Sequence, residues 1–115
     1  MNDHEVFVEA HRDATVVRAA IEAALGATFA PGHGTELIPA LVTGTTLVFF
    51  HDRHPFEDDA DFAVTRYTYW VSIHDSARNA DCQLATAQRV FEAVKARGWP
   101  AMLSYGTQGN LALYP

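Results

Sequence analysis

The clearest hydrophobic pattern in the chain alternates with a period of two over Asp61–His74, DFAVTRYTYWVSIH. One set of alternate positions contains Ala63, Thr65, Tyr67, Tyr69, Val71 and Ile73, and the other contains Phe62, Val64, Arg66, Thr68, Trp70, Ser72 and His74. β-Branched and aromatic side chains dominate, and neither glycine nor proline interrupts the run, which favours a β-strand. We predict that this segment is the central strand of an antiparallel sheet, with helices on one face and the other face only partly dry.

Two other stretches repeat their apolar residues at intervals of three and four, the spacing of an amphipathic helix. The first spans Asp13–Leu25, begins at an aspartate suited to an N-cap and ends before Gly26. The second spans Asn79–Arg97, begins at an asparagine and ends before Gly98. We expect the buried sides of these helices to include Val17, Ile21, Leu84, Phe91 and Val94.

The remaining apolar stretches predict shorter strands. They are residues 5–11, Leu37–Val42, Thr45–His51, Ala101–Tyr105 and Leu111–Tyr114. Pro39 lacks a backbone N–H, so its strand belongs at a sheet edge or is a loop. The last two strands flank the turn-rich GTQGN, which predicts either a terminal hairpin or two short edge strands. The order β-α-β-β-α-β with an extra short strand predicts a single α+β domain, residues 1–115. We expect a ferredoxin-like sandwich, with two helices on one face of a four- to five-stranded antiparallel sheet.

Composition narrows the class of protein. Apolar residues make up 49% of the chain and charged residues 19%, as in ordinary soluble domains. The net charge of −6 argues against nucleic acid, whose phosphates require lysine and arginine on the protein. No apolar run approaches the roughly 20 residues of a membrane span, no signal peptide is evident, and the single cysteine fits a reducing compartment. We therefore expect a cytoplasmic protein, and the excess of alanine and arginine is typical of a GC-rich bacterial genome.

Two neighbouring features predict a surface that binds another protein. One is the acidic connection that leads into the long strand, with Asp52, Glu57, Asp58, Asp59 and Asp61. The other is the strand face that helices would leave uncovered, which carries the interface-forming residues Phe62, Arg66 and Trp70. Together they indicate a small acidic module for a possibly basic partner, for example an immunity-type inhibitor that blocks a toxin's active site with carboxylates. The same face could instead pair two copies of this chain.

Three further groups could carry chemistry, and each also has a purely structural explanation. His51 and His54 could bind a divalent metal, but no recognised ligand spacing is present and a solvated hairpin tip explains them as well. The segment His74–Ser76 contains three triad residue types, yet a triad depends on geometry rather than adjacency, and this segment resembles a turn. Cys82 lies where a helix dipole favours thiolate, but Asp81 beside it opposes ionisation. We therefore predict no catalytic residue, metal ligand or cofactor.

The alternative function is that of a small ferredoxin-like enzyme or ligand-binding dimer. Its pocket would lie between the sheet and the helices and would use His74, Tyr67 or Trp70. Element order does not choose between the two functions, because this fold hosts enzymes, ligand sensors and interaction modules alike.

Overall fold

The structure is a computed structural model of the chain, and it describes residues 2–30, 39–52, 66–106 and 110–115. The described residues form six strands and two helices. In chain order these are β1 His4–Val8, α1 Ala14–Leu25, β2 Ala40–Thr43, β3 Thr46–His51, β4 Tyr69–Asp75, α2 Ala80–Ala96, β5 Ala101–Tyr105 and β6 Asn110–Tyr114. The strands form one open antiparallel sheet in the order β2-β3-β4-β1-β5-β6. The fold is thus α+β as predicted, with six strands rather than four or five.

Both helices begin and end within about one residue of the predicted positions. α1 follows Asp13, whose backbone is extended although its side chain caps none of the described N–H groups. It ends at Gly26, whose φ of +67° is a left-handed conformation that glycine adopts without strain. α2 is capped by Asn79, whose side chain accepts a hydrogen bond from the backbone N–H of Cys82 at 3.0 Å. These local signals were sufficient to place the helices.

The buried face of α2 differs from the predicted face at one place. Leu84 is only partly buried, whereas its polar neighbour Gln83 is fully buried. The Gln83 amide nitrogen donates to the backbone oxygen of Asn2 at 2.7 Å and to Nδ1 of His4 at 2.7 Å. Its amide oxygen accepts from the backbone N–H of Asp75 at 2.9 Å. Burial of this side chain is tolerated because both ends of the amide are hydrogen-bonded.

The main hydrophobic core lies between the helices and one face of the sheet. Its buried side chains from the helices include Val17, Ile21, Leu25, Val90, Phe91 and Val94. Its buried side chains from the strands include Val6, Val8, Val48, Phe50, Tyr69, Val71, Ile73 and Leu103. Since both helices contribute to one cluster with the same strand face, they cover the same side of the sheet, as predicted. The predicted burial of Val17 and Ile21 in α1, and of Phe91 and Val94 in α2, is also confirmed.

The edge strands belong to hairpins with their sequence neighbours. β2 pairs with β3 around Gly44, whose φ is +60°, and β5 pairs with β6. The prediction that the strand after Pro39 lies at an edge is confirmed, although β2 begins at Ala40, and residues 37–38 lie outside the described residues. The predicted terminal hairpin is confirmed as well.

The strand predicted over Asp61–His74 is shorter than expected. β4 lies between β3 and β1, inside the sheet as predicted, but it begins only at Tyr69. Residues 61–65 lie outside the described residues. Arg66 lies in a turn, where its Nε and Nη2 donate to Oε2 of Glu9 at 2.9 Å and 2.7 Å. The prediction of a continuous strand over residues 66–68 was therefore wrong, because the chain turns at Arg66 and β4 begins only at Tyr69.

The alternation of side chains along the strand is confirmed within β4 and fails just before it. Val71 and Ile73 are in the main core, as predicted. Tyr67, which was predicted to face the same way, instead packs with Phe7 and Met102 in a second cluster. Because residues 67 and 68 do not continue the strand, the period of two no longer fixes the direction of the Tyr67 side chain.

Candidate functional site

The second sheet face is the face that points away from the helices. Its side chains alternate with core side chains along every strand, so strand pairing arranges them in rows across the sheet. We define this face by Leu47, Phe49 and His51 of β3, Trp70, Ser72 and His74 of β4, Glu5 and Phe7 of β1, and Met102 and Ser104 of β5. Two adjacent rows, one apolar and one polar, form its middle.

The apolar row crosses the sheet through His51, Trp70, Phe7 and Met102, which are paired in that order. Phe7 and Met102 are buried, and so is Tyr67, whose ring centroid lies 6.3 Å from that of Phe7. The imidazole of His51 stacks on the indole of Trp70, with centroids 4.0 Å apart and an interplanar angle of 18°. Trp70, a predicted binding residue, is therefore held within an aromatic surface.

The polar row lies two residues further along the strands and crosses Ser72, Glu5 and Ser104. Both serines are buried, Ser104 completely, and Glu5 is partly buried. The hydroxyl of Ser72 lies 3.2 Å from Nε2 of His51. The hydroxyl of Ser104 has no hydrogen-bond partner among the described residues. Because an unpaired hydroxyl in a buried position costs free energy, this row is an unusual feature for a sheet.

Glu5 in the polar row and His51, which contacts Ser72 of that row, have shifted pKa values. Burial raises the pKa of Glu5 to about 7, and the carboxylate of Asp3 contributes in the same direction. Burial lowers the pKa of His51, while Asp52 acts in the opposite direction. Burial thus favours the uncharged form of both side chains, the neutral imidazole of His51 and the protonated carboxyl of Glu5.

The raised pKa predicts that Glu5 reduces stability as the pH rises. The folded-state pKa of about 7 exceeds the unfolded value of 4.5, so the folded state binds the proton more tightly and loses stability between these values. Glu5→Gln cannot ionise and should avoid this loss. At pH 8 we expect the free energy of unfolding of Glu5→Gln to exceed that of the wild type by about 1 kcal/mol. This value allows for solvent screening, because Glu5 is only partly buried. The difference should shrink steadily as the pH falls from 8 to 5.

Urea denaturation at a series of pH values from 5 to 8 measures this difference. Glu92→Gln is the matched control, because Glu92 is exposed on α2. Its difference from the wild type should not follow the same curve. A difference between Glu5→Gln and the wild type that stays constant with pH would contradict the role of Glu5.

The structure describes part of the predicted binding surface. Glu57, Asp58, Asp59, Asp61 and Phe62 lie outside the described residues. Asp52 is exposed directly after the end of β3. The guanidinium of Arg66 lies 5.2 Å from the ring centroid of Tyr67 and is paired with Glu9. Since Tyr67 packs in the same cluster as Trp70, the described members of the predicted surface lie at the end of the second sheet face where β3 ends and β4 begins.

The His74–Ser76 triplet has the structural role that its turn-like sequence favoured. Nδ1 of His74 lies 2.9 Å from Oδ1 of Asp3, whereas the hydroxyl of Ser76 donates to the backbone oxygen of Thr45 at 2.8 Å. The two side chains therefore bind different parts of the fold.

Asp75, the middle residue of this triplet, is a buried hydrogen-bond acceptor. Its carboxylate accepts from the hydroxyls of Thr45 at 2.6 Å and Thr46 at 2.9 Å, and from the backbone N–H of Asn79 at 2.8 Å. These hydrogen bonds, that of Thr45 foremost, lower the pKa of Asp75. The side chain joins the β2–β3 turn to the start of α2 and is thereby explained without catalysis.

The remaining candidate chemical groups are the thiol of Cys82 and the possible metal ligands. Cys82 is a free, exposed thiol. No group of three or more potential metal ligands occurs among the described residues, and His54 lies outside them. Tyr67 and Trp70, two of the residues suggested for the alternative function, pack together with Phe7 and Met102 in the second cluster.

Sequence reasoning missed the polar row. The available signal was a carboxylate, Glu5, that replaces an apolar residue in the middle of the short strand HEVFV. Its neighbours Ser72 and Ser104 are far away in sequence, and only the strand order brings them beside it.

Comparison with known proteins assigns no family to this chain. In the part of the chain that the structure describes, no helix is both long enough and apolar enough to cross a membrane. Comparison of the chain with protein-family models, with curated proteins and with solved structures found no match.

Proposed function

We propose that this protein is an acidic module that binds a basic protein through the second sheet face and the adjoining segment 52–61. The observation that supports it most is a concentration of negative charge that follows β3 directly in the chain, after His51 of the aromatic row. Segment 52–61 contains five carboxylates and one arginine, so it accounts for most of the net charge of −6. Such a concentration attracts a basic partner over distances of about a Debye length, roughly 8–10 Å in physiological salt.

Trp70 is the anchor of the proposed interface. It is partly exposed and stacks on His51 within an ordered aromatic row. Tryptophan side chains are frequent hot spots, and one that is already ordered loses less rotamer freedom when a partner binds. The stacking thus favours a preorganised contact.

Arg66 has a different role from the one that its residue type suggests. Its guanidinium is paired with Glu9 at 2.7 Å at the edge of the aromatic surface. This pairing offsets the positive charge that would otherwise repel a basic partner from the neighbouring acidic segment. We place Arg66 at the rim of the proposed interface rather than at its centre.

The strand order also supports a more specific description of the fold. The inner strands β3, β4, β1 and β5, with α1 after β1 and α2 after β4, support a ferredoxin-like core to which β2 and β6 add edges. The acidic segment supports an immunity-type inhibitor that covers a toxin's basic active site. The exposed free thiol of Cys82 supports a location in a reducing compartment such as the cytoplasm. The excess of alanine and arginine supports a bacterial source.

Affinity capture with the purified chain tests the proposal. We expect the chain to retain a basic protein from a lysate of the source organism. Retention should fall strongly in the Asp58→Lys, Asp59→Lys double variant and in Trp70→Ala, because the first removes the attraction and the second the anchor. Asp81→Lys with Glu92→Lys is the matched control, since it changes the net charge equally at exposed sites on α2.

Two outcomes would contradict the proposal. One is capture that resists all of these changes, or no capture at all. The other is a stable homodimer in gel filtration that dissociates on Trp70→Ala, because the second sheet face would then be occupied by another copy of this chain.

A further inference from the structure

We propose that His4 and Gln83 form an acid-sensitive latch, which holds the N-terminal end of β1 against α2 and opens when His4 is protonated. The two side chains meet on the helix side of the sheet. The latch is therefore separate from the second sheet face and does not depend on the proposed protein partner. Its support is the hydrogen-bond geometry of Gln83, which fixes the protonation state of the His4 ring.

The orientation of the Gln83 amide is determined by two backbone groups. Its oxygen accepts from the N–H of Asp75 at 2.9 Å, and its nitrogen donates to the backbone oxygen of Asn2 at 2.7 Å. A flipped amide would set its nitrogen against the N–H of Asp75 and its oxygen against the oxygen of Asn2, so both hydrogen bonds would be lost. The amide nitrogen is thus the group that faces His4.

Because this nitrogen is a donor, Nδ1 of His4 has to accept. The two nitrogen atoms lie 2.7 Å apart, and His4 is only 5% exposed. The ring is therefore neutral in this arrangement, with its proton on Nε2. Protonation of Nδ1 would set an N–H of the imidazolium against the N–H groups of the Gln83 amide. It would also leave a buried positive charge beside a donor instead of an acceptor.

The carboxylates on β1 and just before it do not compensate for such a charge. Asp3 precedes His4, but its carboxylate is paired with Nδ1 of His74 at 2.9 Å. Glu5 follows His4 and lies on the opposite face of the strand. Burial lowers the pKa of His4 from its ordinary value of 6.5, while Asp3 acts in the opposite direction. The effect of burial is the larger of the two.

The elements packed around His4 supply no carboxylate partner among the described residues. On β4, Asp75 lies two residues beyond the residue paired with His4, and its carboxylate accepts from two threonine hydroxyls and a backbone N–H. On β5, the ring centroid of Tyr105 lies 4.6 Å from that of His4. Asp81 and Cys82, in the first turn of α2, are exposed. A protonated Nδ1 thus finds no acceptor while the latch is closed.

Opening of the latch should release residues 2–4. Besides its contacts with Gln83, this segment is held by a hydrogen bond from the backbone N–H of Gly106 to the oxygen of Asp3 at 2.9 Å. Water can solvate a charged His4 only when the segment moves away from α2. The hydrogen bond from Gly106 should therefore be lost together with the contacts of Gln83.

The direction of the pH effect follows from the lowered pKa of His4. In the open state the ring titrates at its ordinary value of 6.5, so the open state binds the proton more readily than the closed state. The latch is therefore stable above pH 6.5 and weakens as the pH falls below this value. Since one pH unit changes the equilibrium at most tenfold, the open population can rise at most about thirtyfold by pH 5.

Amide hydrogen exchange followed by NMR between pH 7 and pH 5 tests the latch. The protection factors of the Asp75 and Gly106 amides should fall by several fold, within the thirtyfold limit. The amide of Glu9, which donates to the oxygen of Pro100 at 2.8 Å just after β1, should keep its protection. Nitrogen-15 spectra of the imidazole rings provide a second measurement. They should show His4 with its proton on Nε2 and a titration below pH 6.5.

Variants assign the acid response to His4. His4→Gln keeps an acceptor for the Gln83 amide but cannot gain a proton, so protection should no longer fall with pH. His11→Gln is the matched control, because it removes an exposed imidazole and should respond like the wild type. The ring spectra of the wild type stand on their own if His4→Gln does not fold. A neutral His4 with its proton on Nδ1, a titration at or above pH 6.5, or protection that does not change with pH would overturn the inference.

Discussion

Phe91→Ala should lower the free energy of unfolding by about 3–5 kcal/mol. Phe91 is only 5% exposed, on the face of α2 that packs on the sheet in the main core. Removal of the ring loses its transfer free energy and leaves a cavity that the neighbouring strands cannot fill. Because a domain of this size is stabilised by about 5–15 kcal/mol in total, the variant should lose a large part of its stability.

Urea denaturation followed by far-ultraviolet circular dichroism measures this loss. Val16→Ala is the control, because Val16 is also a large apolar helix residue but is 41% exposed on α1. We expect that change to stay within about 0.5 kcal/mol. Similar losses for the two variants would mean that α2 does not pack against the sheet as described.

Phe91 illustrates which parts of the fold could be predicted from the sequence. Its burial follows from the helical spacing of apolar residues, and the bounds of α2 follow from Asn79 and Gly98. These signals act within one or two turns of chain, so the sequence contains them in full. The alternation of Tyr69, Val71 and Ile73 is equally local, and it was confirmed for the same reason.

The features that escaped prediction depend on contacts between distant parts of the chain. Gln83 is buried because Asn2 and Asp75 satisfy its amide, and its polarity alone indicated exposure. The polar row exists because β1 is inserted between β4 and β5, which sets Glu5 between two serines. A pattern within one strand identifies its faces, but it does not identify the strands on either side.

The same distinction applies to the candidate binding surface. The acidic composition of segment 52–61 is visible in the sequence, and so is the aromatic content of β4. The pairing of His51 with Trp70 places the end of β3, after which this segment begins, beside the start of β4. Trp70 was identified from residue type, whereas the stacking that orders it required the fold.

This arrangement predicts that the acidic segment and Trp70 affect different rate constants of the proposed complex. Asp58→Lys with Asp59→Lys should mainly reduce the association rate constant and flatten its dependence on salt, because long-range attraction acts before contact. Trp70→Ala should mainly raise the dissociation rate constant. We expect a loss of at least about 2 kcal/mol in binding free energy, equivalent to a Kd about thirtyfold weaker.

Surface plasmon resonance with the captured basic protein, at several salt concentrations, separates the two rate constants. Asp81→Lys with Glu92→Lys controls for net charge and should change association much less. His51→Ala controls for packing, since it removes the stacked ring while Trp70 remains. If Trp70 acts through direct contact, His51→Ala should raise the dissociation rate constant less than Trp70→Ala does.

The effects of the charge reversal and of Trp70→Ala on the binding free energy should add if the two sites lie more than about 7–10 Å apart. A Trp70→Ala variant that remains folded and dissociates as slowly as the wild type would show that the partner does not bind the second sheet face.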